Sequence, residues 1–164
     1  MGNCYFGGLD FGSSGARISI INSEKEIIYA SQSKYKNGFK NPQSWIIACK
    51  ELLVNIPSQT KKSLIKLTIS GTSGTLIACS LKGTPLGDAI IYSEACIGNE
   101  NKLNLIAGND NRLKSSYSSL AKAIRFLDLY GEEILLRHQS DWITGWLLDD
   151  WTFGEEGNNI KLGW

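Results

Sequence analysis

Apolar and branched residues gather in short runs over the first third of the chain, separated by turn-forming residues. Residues 5–11 are apolar and β-prone, and Gly12-Ser13-Ser14-Gly15 then supplies a turn. Branched residues at 17–21, a second turn at 22–25 and a third run at 26–31 predict three strands in an antiparallel meander. A helix follows: Asn41 can cap it, Pro42 suits its first position, and Trp45, Ala48, Cys49, Leu52 and Leu53 fall on one face before Pro57 ends it. Residues 64–69 again read as a strand, Gly71-Thr72-Ser73-Gly74 turns the chain, and 76–81 and 89–92 predict two more short strands around a Gly83-Thr84-Pro85 turn.

Beyond residue 96 the strand pattern fades. Residues 99–112 are polar and Asn-rich, which predicts a surface loop or a short helix with irregular flanks. Leu120, Ala123, Ile124 and Leu127 recur at helical spacing within 117–130, and Gly131 is placed to stop that helix. A last helix is expected over 141–148, with a polar, glycine-bearing loop over 149–164. The order strand-strand-strand-helix-strand predicts an α/β domain and resembles the opening of the ribonuclease H-like fold of the actin-like ATPase superfamily, which implies a mixed sheet with flanking helices.

Composition narrows the function classes. A hydrophobic fraction of 42% and a charged fraction of 20% are ordinary for a folded domain. The net charge of +1 offers no general attraction to nucleic acid or to anionic membranes. Lys61, Lys62 and Lys66 read as a solvated face beside a strand. The cysteines at 4, 49, 79 and 96 form no CxxC pair, and the single His138 cannot complete a zinc-finger spacing with them, so reduced and mostly buried thiols are expected. No run of about 18 apolar residues is present to span a membrane. The opening Met1-Gly2-Asn3-Cys4-Tyr5-Phe6 has Phe6 where an acylation signal wants Ser or Thr. These features predict a cytoplasmic protein.

The first segment with chemistry is Gly8-Leu9-Asp10-Phe11-Gly12-Ser13-Ser14-Gly15-Ala16-Arg17. Small residues in a hairpin let backbone N–H groups and hydroxyls come close to a phosphate. A carboxylate at the end of the preceding strand stands beside that anion only if a cation such as Mg2+ lies between them. The plainer reading is a hairpin turn with Asp10 as its cap. No GxxxxGK[ST] is present, so this is not a P-loop.

This segment resembles the first phosphate motif of the FGGY carbohydrate kinases, a G-x-D-x-G-T-S/T-S-type hairpin, with Ser13 where Thr is commoner. The resemblance implies ATP and Mg2+ as cofactors: Asp10 would orient the metal through water. Gly12, Ser13 and Ser14 would hold nucleotide phosphates, and Arg17 would add positive charge. Ile69-Ser70-Gly71-Thr72-Ser73-Gly74-Thr75-Leu76 resembles the sugar-site stretch of xylulokinase-like members, with Thr75 and Leu76 at substrate-facing positions. Its G-T-S-x-T form is closer to the D-ribulose kinase-like branch. Pro85-Leu86-Gly87-Asp88-Ala89-Ile90-Ile91-Tyr92-Ser93-Glu94-Ala95-Cys96 resembles a further family stretch, with Tyr92 for Trp, Glu94 for Asp and Cys96 for Arg. Tyr92 and Glu94 would be a sugar-binding pair, one stacking and one accepting hydroxyl hydrogen bonds. Ser118-Ser119-Leu120-Ala121-Lys122, His138-Gln139-Ser140-Asp141-Trp142 and Asn158-Asn159-Ile160-Lys161-Leu162-Gly163-Trp164 match the ribulokinase-like branch in order. Taken singly, His138, Trp142 and Trp146 read as core positions, and Asp149 with Asp150 as solvated.

The resemblance spans nearly all of residues 1–164 and implies an incomplete first lobe of a two-lobe kinase. The family's catalytic Asp and its second, nucleotide-closing domain match nothing here, so no catalytic residue is assigned. The implied activity is transfer of the γ-phosphate of ATP to a sugar, a ketopentose such as D-ribulose or D-xylulose, with little turnover by this chain alone. Exposed apolar surface would then favour self-association or a chain supplying the missing lobe. The alternatives are a non-catalytic, truncated interaction module or relic, and another actin-like ATPase.

Overall fold

The computed structural model describes residues 4–163, in two compact units that divide after Gly71. Met1, Gly2 and Asn3 of the acylation pattern, and Trp164 of the last matched segment, lie outside the described residues.

The first unit is the predicted meander closed by a helix and a parallel strand. Strands β1 (Tyr5–Phe11), β2 (Gly15–Ile21) and β3 (Ile27–Lys34) precede helices α1 (Pro42–Val54) and α2 (Ser58–Ser63) and strand β4 (Leu64–Gly71). The sheet order is β3-β2-β1-β4, antiparallel throughout the meander and parallel between β1 and β4. Alternation puts Leu9 and Phe11 of β1 and Ala16, Ile18 and Ile20 of β2 in the core, because successive strand side chains point to opposite faces. Helix α1 packs against β2 and β3. Its start follows the predicted chemistry: the Asn41 side chain accepts from Gln43 N at 2.9 Å, with Pro42 in the first helical position. Trp45, Cys49 and Leu52 are buried on its inner face, and Trp45 Nε1 donates to Phe39 O at 2.8 Å.

Gly15 is required by close approach. A Cβ there would lie 2.4 Å from Ser33 O on the neighbouring strand, inside any real contact distance. Lys61, Lys62 and Lys66 are exposed, as expected of a solvated face beside β4; Lys61 and Lys62 stand in the last turn of α2, where cations suit the helix's negative end.

The second unit contains β5 (Leu76–Cys79), α3 (Glu100–Ala107), α4 (Ser119–Tyr130), β6 (Leu135–His138), α5 (Gln139–Leu148) and α6 (Glu156–Asn159), then a single 3-10 turn at Ile160–Leu162. Strands β5 and β6 pair antiparallel. Its core joins Leu76, Ala78, Ile90, Leu103, Ile124 and Phe126 among others. Three of the four cysteines, Cys49, Cys79 and Cys96, are buried free thiols. Helix α4 begins as predicted, with Ser118 Oγ accepting from Ala121 N at 3.0 Å, and ends at Gly131, whose N–H reaches Leu127 O at 2.9 Å with φ +79°.

Three expectations change in this unit. Residues 89–92 form no strand; only Ile90 bridges to Leu76, because the chain turns again at once, with Glu94 N bonded to Ile91 O. The strand expected to reach residue 81 stops at Cys79, since Ser80 N bonds to Thr84 O and closes a tight loop with Gly83 at φ +76°. Residues 149–164 are not all loop: α6 is capped by Glu155, whose carboxylate accepts from Gly157 N and Asn158 N. No helix among the described residues is long and apolar enough to cross a membrane.

Candidate functional site

The hairpin between β1 and β2 holds all five residues expected at the phosphates. Asp10 and Arg17 are register partners across the ladder, with Arg17 Nη1 donating to Asp10 Oδ2 at 3.2 Å. Asp10 Oδ1 accepts from Ser70 Oγ at 3.1 Å, so β4 orients the same carboxylate from its other side. Gly12 N bonds to Gly15 O at 3.0 Å and closes the turn, while Ser13 and Ser14 stand exposed at the tip. Exposed hydroxyls can meet a polyphosphate directly, whereas a strand-end carboxylate can do so only through a cation. The donor set fits Mg2+ of one kind only. Among the described residues no three His, Cys, Asp or Glu side chains gather. Asp10 would therefore hold the ion as a single carboxylate, the phosphates and water supplying the remaining oxygens, as is usual for this cation.

The second unit has a cavity of about 430 Å3, a size suited to a small ligand. The rings of Tyr92 and Tyr117, the first-turn Ser119, and Asp110, Arg112 and Lys161 form its wall. An apolar ring face beside hydroxyls and charged groups is the mixed lining that a sugar's C–H faces and hydroxyls require. Tyr92, one of the residues expected at the sugar, lines this cavity. Glu94 sits half-buried in the turn behind it and is not part of the cavity wall.

Thr75 and Leu76 are fully buried behind that wall. Leu76 is a core residue of β5. Thr75 works through other residues: its Oγ1 accepts the Tyr92 N–H at 3.3 Å and lies 2.7 Å from Thr72 Oγ1. Thr72 Oγ1 is in turn 2.8 Å from Gln139 Oε1, which also accepts Thr72 N–H at 2.9 Å. Each threonine has one hydroxyl proton, so the chain of donation runs Thr75 to Thr72 to Gln139 and leaves a Thr75 lone pair for Tyr92. The Gly71-Thr72-Ser73-Gly74-Thr75 segment therefore sets the position of Tyr92.

Two of the charged groups in the cavity wall form an ion pair. Arg112 binds Asp110 through Nε at 3.0 Å and Nη2 at 2.7 Å, and these hydrogen bonds hold the Asp110 carboxyl down at about 2. Lys122, fully buried on α4, donates Nζ to Tyr117 O, and burial lowers its pKa. Behind Ser119, burial pushes the His138 imidazole down to about 4, so the ring is neutral near pH 7. Burial also raises the Asp141 carboxyl, against donors from Glu155 N and Asn158.

Sequence reasoning placed Tyr117, Ser119 and Lys161 in helical or matched segments without a site role, and missed Asp110 and Arg112. Nothing in an Asn-rich stretch marks those two as facing a cavity. The matched motifs around Ser118–Ser119 and Lys161 did carry a usable signal.

No family model matches the chain. Solved structures do. The xylulose kinase from Bifidobacterium adolescentis superposes with a TM-score of 0.70 at 16% identity, over 94% of this chain and 36% of the enzyme. The glycerol kinase from Plasmodium falciparum, solved with ADP, gives 0.67 at 12% identity over 87% and 34%. The gluconate kinase from Lactobacillus acidophilus gives 0.61 at 12% identity over 87% and 33%. The chain spans about a third of the length of the kinases it matches. At these identities the likeness shows the fold alone: the chain has a mixed-sheet, ribonuclease H-like α/β fold similar to part of these kinases.

Proposed function

We propose that this chain carries the nucleotide-phosphate hairpin and the sugar cavity of an ATP-dependent carbohydrate kinase whose acceptor is a ketopentose such as D-ribulose or D-xylulose. The observation that carries the reading is the cavity walled by Tyr92, Tyr117 and Ser119 in a chain with the carbohydrate-kinase fold.

Transfer forms a bond between a sugar hydroxyl oxygen and the γ-phosphorus and breaks the bond to the β,γ-bridging oxygen. ADP departs, and the hydroxyl proton passes to a base. Tyr92 and Tyr117 would stack on the sugar's apolar face, while Ser119 and Lys161 meet its oxygens. Ser13 and Ser14 would bind phosphate oxygens, and Arg17 would balance their charge. Mg2+ beside Asp10 would neutralise charge on the transferring phosphoryl group. Asp110 is the carboxylate in the cavity wall, and with its acidity set at about 2 by Arg112 it is a poor proton acceptor at neutral pH. The base is therefore assigned to no residue of this chain, and binding without appreciable turnover is the expected behaviour.

Calorimetry on the full chain with D-ribulose, D-xylulose and Mg-ATP tests this. Saturable binding of a ketopentose, weakened at least about tenfold in Tyr92→Ala, supports the reading. Absence of any sugar or nucleotide binding would overturn it. Robust sugar-dependent ADP production would overturn the statement that no residue of this chain serves as the base.

A further inference from the structure

His138 ends β6 at 2% exposure, with Nε2 3.0 Å from Ser119 Oγ. Its other nitrogen, Nδ1, has no hydrogen-bond partner among the described residues and faces Asp141 Oδ2 at 3.9 Å. That separation is too long for a hydrogen bond but short for electrostatics in a buried site. Asp141 is held as an acceptor by Asn158 Nδ2, at 3.2 and 3.3 Å, and by Glu155 N at 3.2 Å. A neutral ring has two tautomers. With the proton on Nδ1, its positive end points at the carboxylate; with the proton on Nε2, a lone pair points at it instead. The field therefore selects the Nδ1–H form and leaves Nε2 as an acceptor.

Ser119 must then spend its single hydroxyl proton on His138. Its oxygen retains lone pairs and lies in the cavity wall. A Cβ built on Gly74 would be 3.9 Å from Ser119 Oγ and 3.7 Å from Tyr92 Cβ, so the ring and the acceptor flank the same glycine. We propose that Ser119 is a specificity-determining acceptor for one hydroxyl of the bound sugar, and that His138 is the positioning residue that commits Ser119 to accepting. This assignment rests on the sugar-binding reading of the cavity. It predicts that the group met at this point is a hydroxyl, not a carbonyl oxygen, which Ser119 could no longer bond.

His138 is the only histidine in the chain, so its ring nitrogens are read by NMR on 15N-histidine-labelled full-length protein without assignment. The expected result is the Nδ1–H tautomer, with an Nε2 signal that moves saturably on titration with D-ribulose or D-xylulose. Ser119→Ala, a change of one oxygen, should keep the circular dichroism of the wild type, abolish the sugar-dependent Nε2 shift and weaken sugar binding on the order of tenfold. A deoxy analogue lacking the contacted hydroxyl should bind wild type and Ser119→Ala equally. An Nε2–H tautomer, or unchanged sugar affinity in Ser119→Ala, would overturn the assignment while leaving the kinase reading intact. A wild-type chain that binds neither ketopentose would remove both.

Discussion

Asp10 and Arg17 face each other across the β1–β2 ladder, and Ser70 on β4 donates to the carboxylate oxygen that Arg17 leaves open. Both partners are more than half exposed, so this ion pair adds little to folding. Its consequence is placement of a carboxylate at a strand end beside the Gly12–Gly15 turn. Asp10→Asn should change unfolding stability by no more than about 0.5 kcal/mol, yet remove the Mg2+-dependent part of nucleotide binding. Thermal melts and calorimetry with ATP, with and without Mg2+, check the two halves separately. A large melting shift would mean that Asp10 is chiefly a hairpin cap.

The two glycines of that hairpin should separate by role. A methyl on Gly15 would collide with Ser33 O at 2.4 Å, whereas one on Gly12 meets nothing closer than 3.6 Å. Gly15→Ala should therefore cost roughly 1–3 kcal/mol in urea unfolding, since backbone must move to admit it. Gly12→Ala should leave the fold nearly unchanged and act on phosphate binding instead. Equal stability losses in both variants would contradict the register of β2 on β3.

Much of the first unit could be read from the chain because its physics is local. Branched residues between tight turns specify β1 to β3, and the Asn41–Pro42 pair marks the start of α1 in the way its hydrogen bond to Gln43 shows. The second unit was less legible. Strand β6 is four residues long, follows two glutamates, and exists through pairing with β5 some 60 positions earlier, as in Leu76 with His138. Helix α2 has no buried residue and hence no apolar period to detect. Within the site, Tyr92 was visible as an aromatic in a matched stretch. The indirect role of Thr75 was not, because it depends on where Thr72 and Gln139 bring their oxygens.

That indirect role gives a test. Thr75→Val keeps the shape but leaves the Tyr92 N–H without its acceptor and interrupts donation to Thr72. The loss should be about 1 kcal/mol of stability, the usual order for a lost part-buried hydrogen bond, together with weaker sugar binding. Thr75→Ser should restore both. Sugar affinity that falls in Thr75→Val with stability unchanged would instead mean that Thr75 touches the ligand itself.

The pH dependence of folding should carry the mark of His138. Burial, aided by the positive charges of Lys161 and Lys122 and opposed by Glu155, lowers its pKa from 6.5 to about 4. Between those values the unfolded chain binds a proton that the folded chain refuses. Stability therefore rises with pH across that window and is lost as pH falls, approaching a total of about 3 kcal/mol at ~1.36 kcal/mol per unit. Asp141 acts in the opposite sense: its raised pKa makes the folded state hold a proton longer than the unfolded one, which softens the slope at the acid end. Urea midpoints from pH 7 down to 4.5 should fall steadily in the wild type. His138→Gln should flatten that fall, since no other histidine exists to produce it. An unchanged slope in His138→Gln would assign the acid sensitivity to carboxylates and would place the imidazole in a more hydrated setting than its 2% exposure implies.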